Sequence, residues 1–173
     1  MGLPATEKTY TYKELADWPE DERWELIDGV AVAMSAPSRK HQAIVGALFR
    51  RIANYLESKP CKVYTSPFDV RLPEKNEKDD DVTTVVQPDV LIVCDESKLD
   101  KKGCRGAPDI IFEVLSPKSA RFDQKTKKEI YERAGVKEYW IIEPEGGVVY
   151  RWVLEGERYV KTVVYDADDS PSM

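Results

Sequence analysis

No apolar stretch in this sequence approaches the roughly 18 residues that a membrane span needs, and the opening residues MGLPATEKTY lack the apolar core of a secretion signal. A membrane protein is not indicated, and a cytoplasmic location is expected. Cysteine is scarce: Cys61, Cys94 and Cys104 are an odd set at wide spacing with no CxxC pair. Neither a disulfide framework nor a zinc site is indicated, and reduced, mostly buried thiols are expected. There is no GxSxG elbow, no GxxxxGK[ST] phosphate loop and no HExxH helix, which sets aside the chemistries those motifs carry. Positive charge is not in excess either. Lys and Arg number 26 against 32 Asp and Glu, and the net charge of -6 argues against a protein that coats nucleic acid non-specifically. Internal repeats, linkers and low-complexity segments are lacking, apart from a polar tail, DADDSPSM, from about residue 166.

What is present fits one α/β domain over residues 1–173, with 42% hydrophobic residues to form a core. Thr11 and Glu14 form a capping-box pattern that opens a short helix ended by Pro19. The segments RWELI and VAVAM alternate on either side of Asp28-Gly29, a strong two-residue hairpin signal. Ser38 can cap a helix over about 38–58, where Ile44, Val45, Leu48, Ile52, Tyr55 and Leu56 recur at helical spacing. KVYTSPFDVRL and TTVVQPDVLIVCD read as two strands joined by an acidic loop, and PDIIFEVL as a third. Asp79, Asp80 and Asp81 in that loop read as solvated rather than as a metal site. A second helix is expected over about 123–134, closed by Gly135. EYWIIEP, GVVYRWVLEG and ERYVKTVVY then read as a β meander. Between Pro117 and Arg133 the chain is locally basic, which suits either a phosphate backbone or a solvated helix face. Gly2 to Thr6 matches a loose acylation pattern, for which an ordinary frayed terminus is the preferred reading.

One residue does not fit its surroundings. Glu113 interrupts the apolar strand Ile110, Ile111, Phe112, Val114, Leu115, and a carboxylate taken out of water costs several kcal/mol unless something compensates it. Alternate strand residues share a face, so Asp109, Ile111 and Glu113 point one way, and Asp89, Leu91 and Val93 are aligned on the strand before. If those strands are neighbours, Asp89 and Glu113 converge. Two carboxylates, a backbone carbonyl and water are the oxygen ligands that magnesium takes, so a metal ion is the expected partner.

Pro88-Asp89, followed by Glu113 on a hydrophobic strand, resembles the PD-(D/E)XK phosphodiesterase superfamily, and the details resemble its Uma-two family of restriction-type endonucleases. The likeness runs through WELIDG, His41-Gln42, QPDVLIVCD, GAPDIIFEVLSP and DQKTKKEIYERAGVKEYWIIEP, nearly the whole chain. It implies a restriction-endonuclease-like mixed central sheet, holding 84–94 and 108–115 and flanked by the two helices. It also implies magnesium-dependent hydrolysis of phosphodiester bonds in DNA, with manganese an alternative ion. The superfamily lysine two residues after the glutamate is replaced here by Leu115. In the resembling family the following helix supplies it at the position of Lys127, on one helical face with Tyr131; Lys128 is the fallback. The resemblance implies Asp89, Glu113 and the Val114 carbonyl as metal ligands. Lys127 would orient water or stabilise transition-state charge. Glu25 is read either as an acidic residue contacting metal-bound water or as an exposed strand glutamate. His41, the only histidine, is read either as a core or capping residue or as an orienter of phosphate or water. A non-catalytic nucleic-acid-binding or assembly module on the same fold is the alternative. Tyr139, Trp140, Tyr150, Trp152 and Tyr159 are expected to offer a homodimer contact.

Overall fold

The computed structural model describes residues 8–165; the acylation pattern at Gly2 to Thr6 and the polar tail from about 166 lie outside the described residues. Helix α1 (Tyr12–Ala16) begins where the Glu14 carboxylate accepts from the Thr11 N–H at 3.0 Å. Strands β1 (Trp24–Ile27) and β2 (Val30–Ala33) pair antiparallel through a turn at Asp28 and Gly29, both at positive φ, 49° and 83°. That is the two-residue turn whose twist matches a hairpin. Helix α2 (Arg39–Leu56) is capped by Ser38, whose Oγ accepts from the His41 N–H.

The two long strands expected next are each broken. β3 (Lys62–Thr65) pairs with β6 (Val90–Val93), while β4 (Val70–Arg71) pairs with β5 (Val85–Val86), so the two arms form one bent hairpin. The bends hold Pro67 and Pro88, which have no N–H to give a ladder. The halves on either side of the bend belong to different sheets. This corrects the expectation of one sheet holding 84–94 and 108–115: residues 85–86 lie in one sheet and 90–93 in the other. β7 (Leu99–Asp100), β8 (Gly103–Arg105) and β9 (Ile110–Val114) follow. The helix over 122–134 is π-helical across Phe122–Lys127 and α-helical as α3 (Lys128–Ala134), ending in Gly135 at φ 87°. β10 (Glu138–Glu143), β11 (Val148–Glu155) and β12 (Arg158–Tyr165) form the expected antiparallel meander.

Two mixed six-stranded sheets result, ordered β2-β1-β5-β4-β8-β7 and β12-β11-β10-β9-β6-β3. The main core lies between them, where Val70, Val86 and Cys104 meet Leu91, Ile111, Tyr139 and Ile141, with Ile130 and Tyr131 of α3. Helix α2 covers the other face of the second sheet through Val45, which packs with Val90 and Val114. The strand alternation therefore holds: Ile111 and Leu115 face the inter-sheet core, Phe112 and Val114 face α2, and Glu113 is committed to the inter-sheet side.

Three further expectations are corrected. Cys61 and Cys94 form a disulfide. They flank the Lys62–Val93 pair of the β3–β6 ladder, and that register was not visible in their spacing along the chain. Cys104 is the free thiol, buried, with its pKa pushed up to about 11 by that burial. Asp79 is not simply solvated, because it binds the fully buried Arg71 at 2.6 Å. Of the five aromatic residues expected at a dimer contact, Tyr139 and Tyr159 are core residues whose hydroxyls donate to the carbonyls of Asp123 and Val136.

Candidate active site

Glu113 reaches the inter-sheet space because β9 alternates, and its partners come from the helix packed there. Lys127 Nζ donates to Glu113 Oε1 at 2.9 Å, and the Tyr131 hydroxyl donates to the same oxygen at 2.9 Å. The direct compensation for the strand carboxylate is thus an ammonium and a phenol of this chain. Lys127 also lies 2.9 Å from Glu25 Oε1 and 3.8 Å from Asp123 Oδ1. Glu25, Glu113, Asp123 and Lys127 are each no more than 4% exposed. The reading of Glu25 as an exposed strand residue is therefore overturned. It is held by Lys127 and by the Gln87 N–H at 2.8 Å, and Gln87 sits in the bend between the two sheets.

Asp89 occupies the same bend. Its Oδ2 accepts from the Val114 N–H at 2.8 Å and lies 3.1 Å from His41 Nε2, while its own N–H donates to Glu113 Oε2 at 3.3 Å. The β9 backbone thus ties the two carboxylates into one cleft, and α2 delivers His41 to it from its first turn. Lys128 turns away, with its ammonium 4.2 Å from the Trp152 ring centre, and Lys125 is exposed. Of the two candidate lysines the structure places only Lys127 in the cleft.

Asp123 was not singled out as a site residue by the sequence. Four residues before Lys127 in a basic segment, it reads as one charge of a solvated helix face. Residues four apart share one helical face, so Asp123, Lys127 and Tyr131 lie in a row along the π-helical and α-helical segments, and all three side chains are buried. The repeated spacing of four from Asp123 to Lys127 to Tyr131 was the available clue.

Charge on the cleft floor is unbalanced: Glu25, Glu113 and Asp123 surround the ammonium of Lys127, while Asp89 is paired with His41. Burial, opposed by Lys127 and reinforced by Asp89, Asp123 and Glu25, pushes the Glu113 carboxyl well above its usual range. Burial would lower Lys127, but Glu113, Glu25 and Asp123 outweigh it and hold the ammonium well above its ordinary value. Burial chiefly raises the carboxyl and the surrounding carboxylates raise the ammonium, so both groups hold their protons tightly. His41 is raised as well, first by its hydrogen bond to Asp89, against burial.

Among the described residues no group of three or more His, Cys, Asp or Glu is arranged to hold a metal ion by itself. The donor chemistry nevertheless suits a hard cation. Glu113 Oε1 is taken by Lys127 and Tyr131 and Oε2 accepts from the Asp89 N–H, and both acidic residues line a cleft of about 550 Å³. Two carboxylates, a carbonyl of Val114 and retained water make up the kind of set in which magnesium is commonly held.

Comparison with known proteins follows the same line. A family model, Uma2, described as "Putative restriction endonuclease", matches residues 11–173. An uncharacterized protein of Synechocystis sp., slr1290, is 26% identical over 121 residues, 69% of this chain and 60% of that protein. The chain thus matches over less than two thirds of that relative's length. A crystal structure described as "a putative nuclease belonging to DUF820", from Anabaena variabilis, superposes with a TM-score of 0.73 at 19% identity, covering 92% of this chain and 86% of that one. That likeness establishes the fold. Among the described residues no helix is long and apolar enough to cross a membrane.

Proposed function

The chain belongs to the Uma2 family, and from that premise we propose that it is a metal-dependent endonuclease hydrolysing phosphodiester bonds of DNA. The observation that carries this reading is the buried Lys127 held between Glu25 and Glu113 on a cleft floor short of positive charge. A structural ion pair would be expected to balance, whereas three buried carboxylates around one ammonium, with Asp89 beside them, invite a divalent cation.

Asp89, Glu113 and the Val114 carbonyl would hold magnesium, or manganese in its place. The bound ion supplies Lewis acidity to a phosphoryl oxygen and makes water more acidic. The protein's own groups do the rest. Glu25 and Glu113 fix the Lys127 ammonium from two sides, so it can face the phosphoryl group at no cost of reorganisation as negative charge develops there. Tyr131 pins Glu113 through its Oε1, and His41 and the Val114 N–H fix the orientation of Asp89. Exposed Lys118, at the cleft edge, is placed to meet a flanking phosphate.

The test pairs calorimetric titration of magnesium and manganese with cleavage assays, on the wild type and on Glu113→Gln. Metal-dependent cleavage by the wild type is expected, with metal affinity and cleavage both lost in the variant. A wild type that neither binds the ions nor cuts DNA in their presence contradicts the proposal.

A further inference from the structure

Depth and width of the cleft bear on which form of nucleic acid can reach its floor. Resting on the nuclease reading, we propose that the cleft accepts one unstacked nucleotide, so that the protein acts on unpaired strands and not on an intact duplex. Glu25, Glu113 and Lys127 are 3–4% exposed, and even Asp89 and His41 have side chains only 15% and 14% exposed. A reacting phosphodiester must therefore descend between the walls. The cleft measures about 550 Å³, a pocket of small-molecule size, within the roughly 300–1,000 Å³ of such sites.

The walls suit a base. One is the β2–α2 loop with Met34 and Pro37, the other the segment after β9 with Pro117 and Phe122. Base-handling pockets take an extruded or unpaired base between apolar and aromatic side chains. The Phe122 ring centre is 5.9 Å from Lys127 Nζ, so a base held at that wall lies close to the ammonium. Arg23 and Lys118 line the cleft and give the neighbouring phosphates cationic partners.

Two readouts test this on one oligonucleotide carrying 2-aminopurine, presented as a single strand, as a blunt duplex and as a duplex with an unpaired central bubble. The first is 2-aminopurine fluorescence in metal-free protein; the second is single-turnover cleavage with magnesium. Fluorescence should change for the single strand and the bubble but not for the blunt duplex, and cleavage of the first two should be at least about tenfold faster. Phe122→Leu, which keeps bulk and removes the ring, should raise KM on the single strand about tenfold with little change in kcat, and Phe122→Tyr should restore it. A blunt duplex bound and cut as well as the single strand overturns the proposal, as does unchanged single-strand KM in Phe122→Leu. Cleavage of none of the three, with the fluorescence pattern intact, sinks the catalytic reading while the nucleotide pocket stands.

Discussion

Three buried carboxylates surround one ammonium on the cleft floor, and the residue that tests this imbalance most cleanly is Asp123. Burial, opposed by Lys127 and Ser119 and reinforced by Glu25 and Asp89, holds its carboxyl above its ordinary value. The unfolded chain releases that proton near pH 4, whereas the folded protein keeps it to higher pH. Stability from this group is thus full at low pH and is lost as pH rises through the folded value. Asparagine has no such slope. In metal-free protein Asp123→Asn should be more stable than wild type at pH 8, and that advantage should shrink toward pH 4. Urea midpoints in chelator at the two pH values measure it, and parallel profiles for the two proteins would contradict the assigned shift. Asp123 also shows why part of the site was hidden. Its spacing to Lys127 is that of any solvated helical ion pair, and only the packing of that helix against the sheets turns both inward. Glu25 was ambiguous for a related reason, since its partner Lys127 is 102 positions away (127 − 25).

Among the elements, the bent hairpin formed by β3–β4 and β5–β6 does the positioning, because its bend delivers Gln87 and Asp89 to the cleft between the sheets. Arg71 on β4 anchors the near end: it is fully buried, binds Asp100 through both oxygens at 2.7 Å and Asp79 at 2.6 Å, and lies 5.3 Å from the Tyr12 ring centre. The two carboxylates are partly exposed and the guanidinium is not, which makes the pair asymmetric. Removing both acids strands a buried cation, so Asp79→Asn with Asp100→Asn should cost on the order of 3 kcal/mol. Arg71→Met leaves two wettable carboxylates and should cost clearly less, as read from chemical denaturation; equal losses would show that the charge is not buried as described. The local elements could be read from sequence because their cues are local: the Thr11–Glu14 cap, the Asp28-Gly29 turn, the periodicity of α2 and the Gly135 stop. The division of 84–94 between two sheets could not, because strand partnership is a long-range choice, although Pro88 marked the place where pairing had to break.

For the whole molecule, the same long-range register explains the bridge that cysteine spacing failed to suggest. The Cys61–Cys94 disulfide closes 33 positions of chain, a loop for which the chain-entropy account gives about 3–4 kcal/mol of stabilisation. Reduction should lower the unfolding midpoint accordingly, and alkylation of the unfolded, non-reduced protein should label Cys104 alone. Labelling of all three cysteines would remove the bridge from the account. The fold as a whole sets two sheets around one core and opens a cleft where the bent hairpin, β9, α2 and the 122–134 helix meet, and the claim on which its function turns is that Lys127 acts there. The direct measurement is single-turnover cleavage of DNA with magnesium by wild type, Lys125→Met, Lys127→Met and Lys128→Met, with DNA affinity determined alongside at two salt concentrations. The account predicts that Lys127→Met cuts on the order of a hundredfold or more slowly while binding DNA nearly as well, the loss expected for one preorganised electrostatic stabiliser, and that the other two change little beyond binding and its salt dependence. Equal small losses in all three variants, or a selective loss in Lys128→Met, would contradict it.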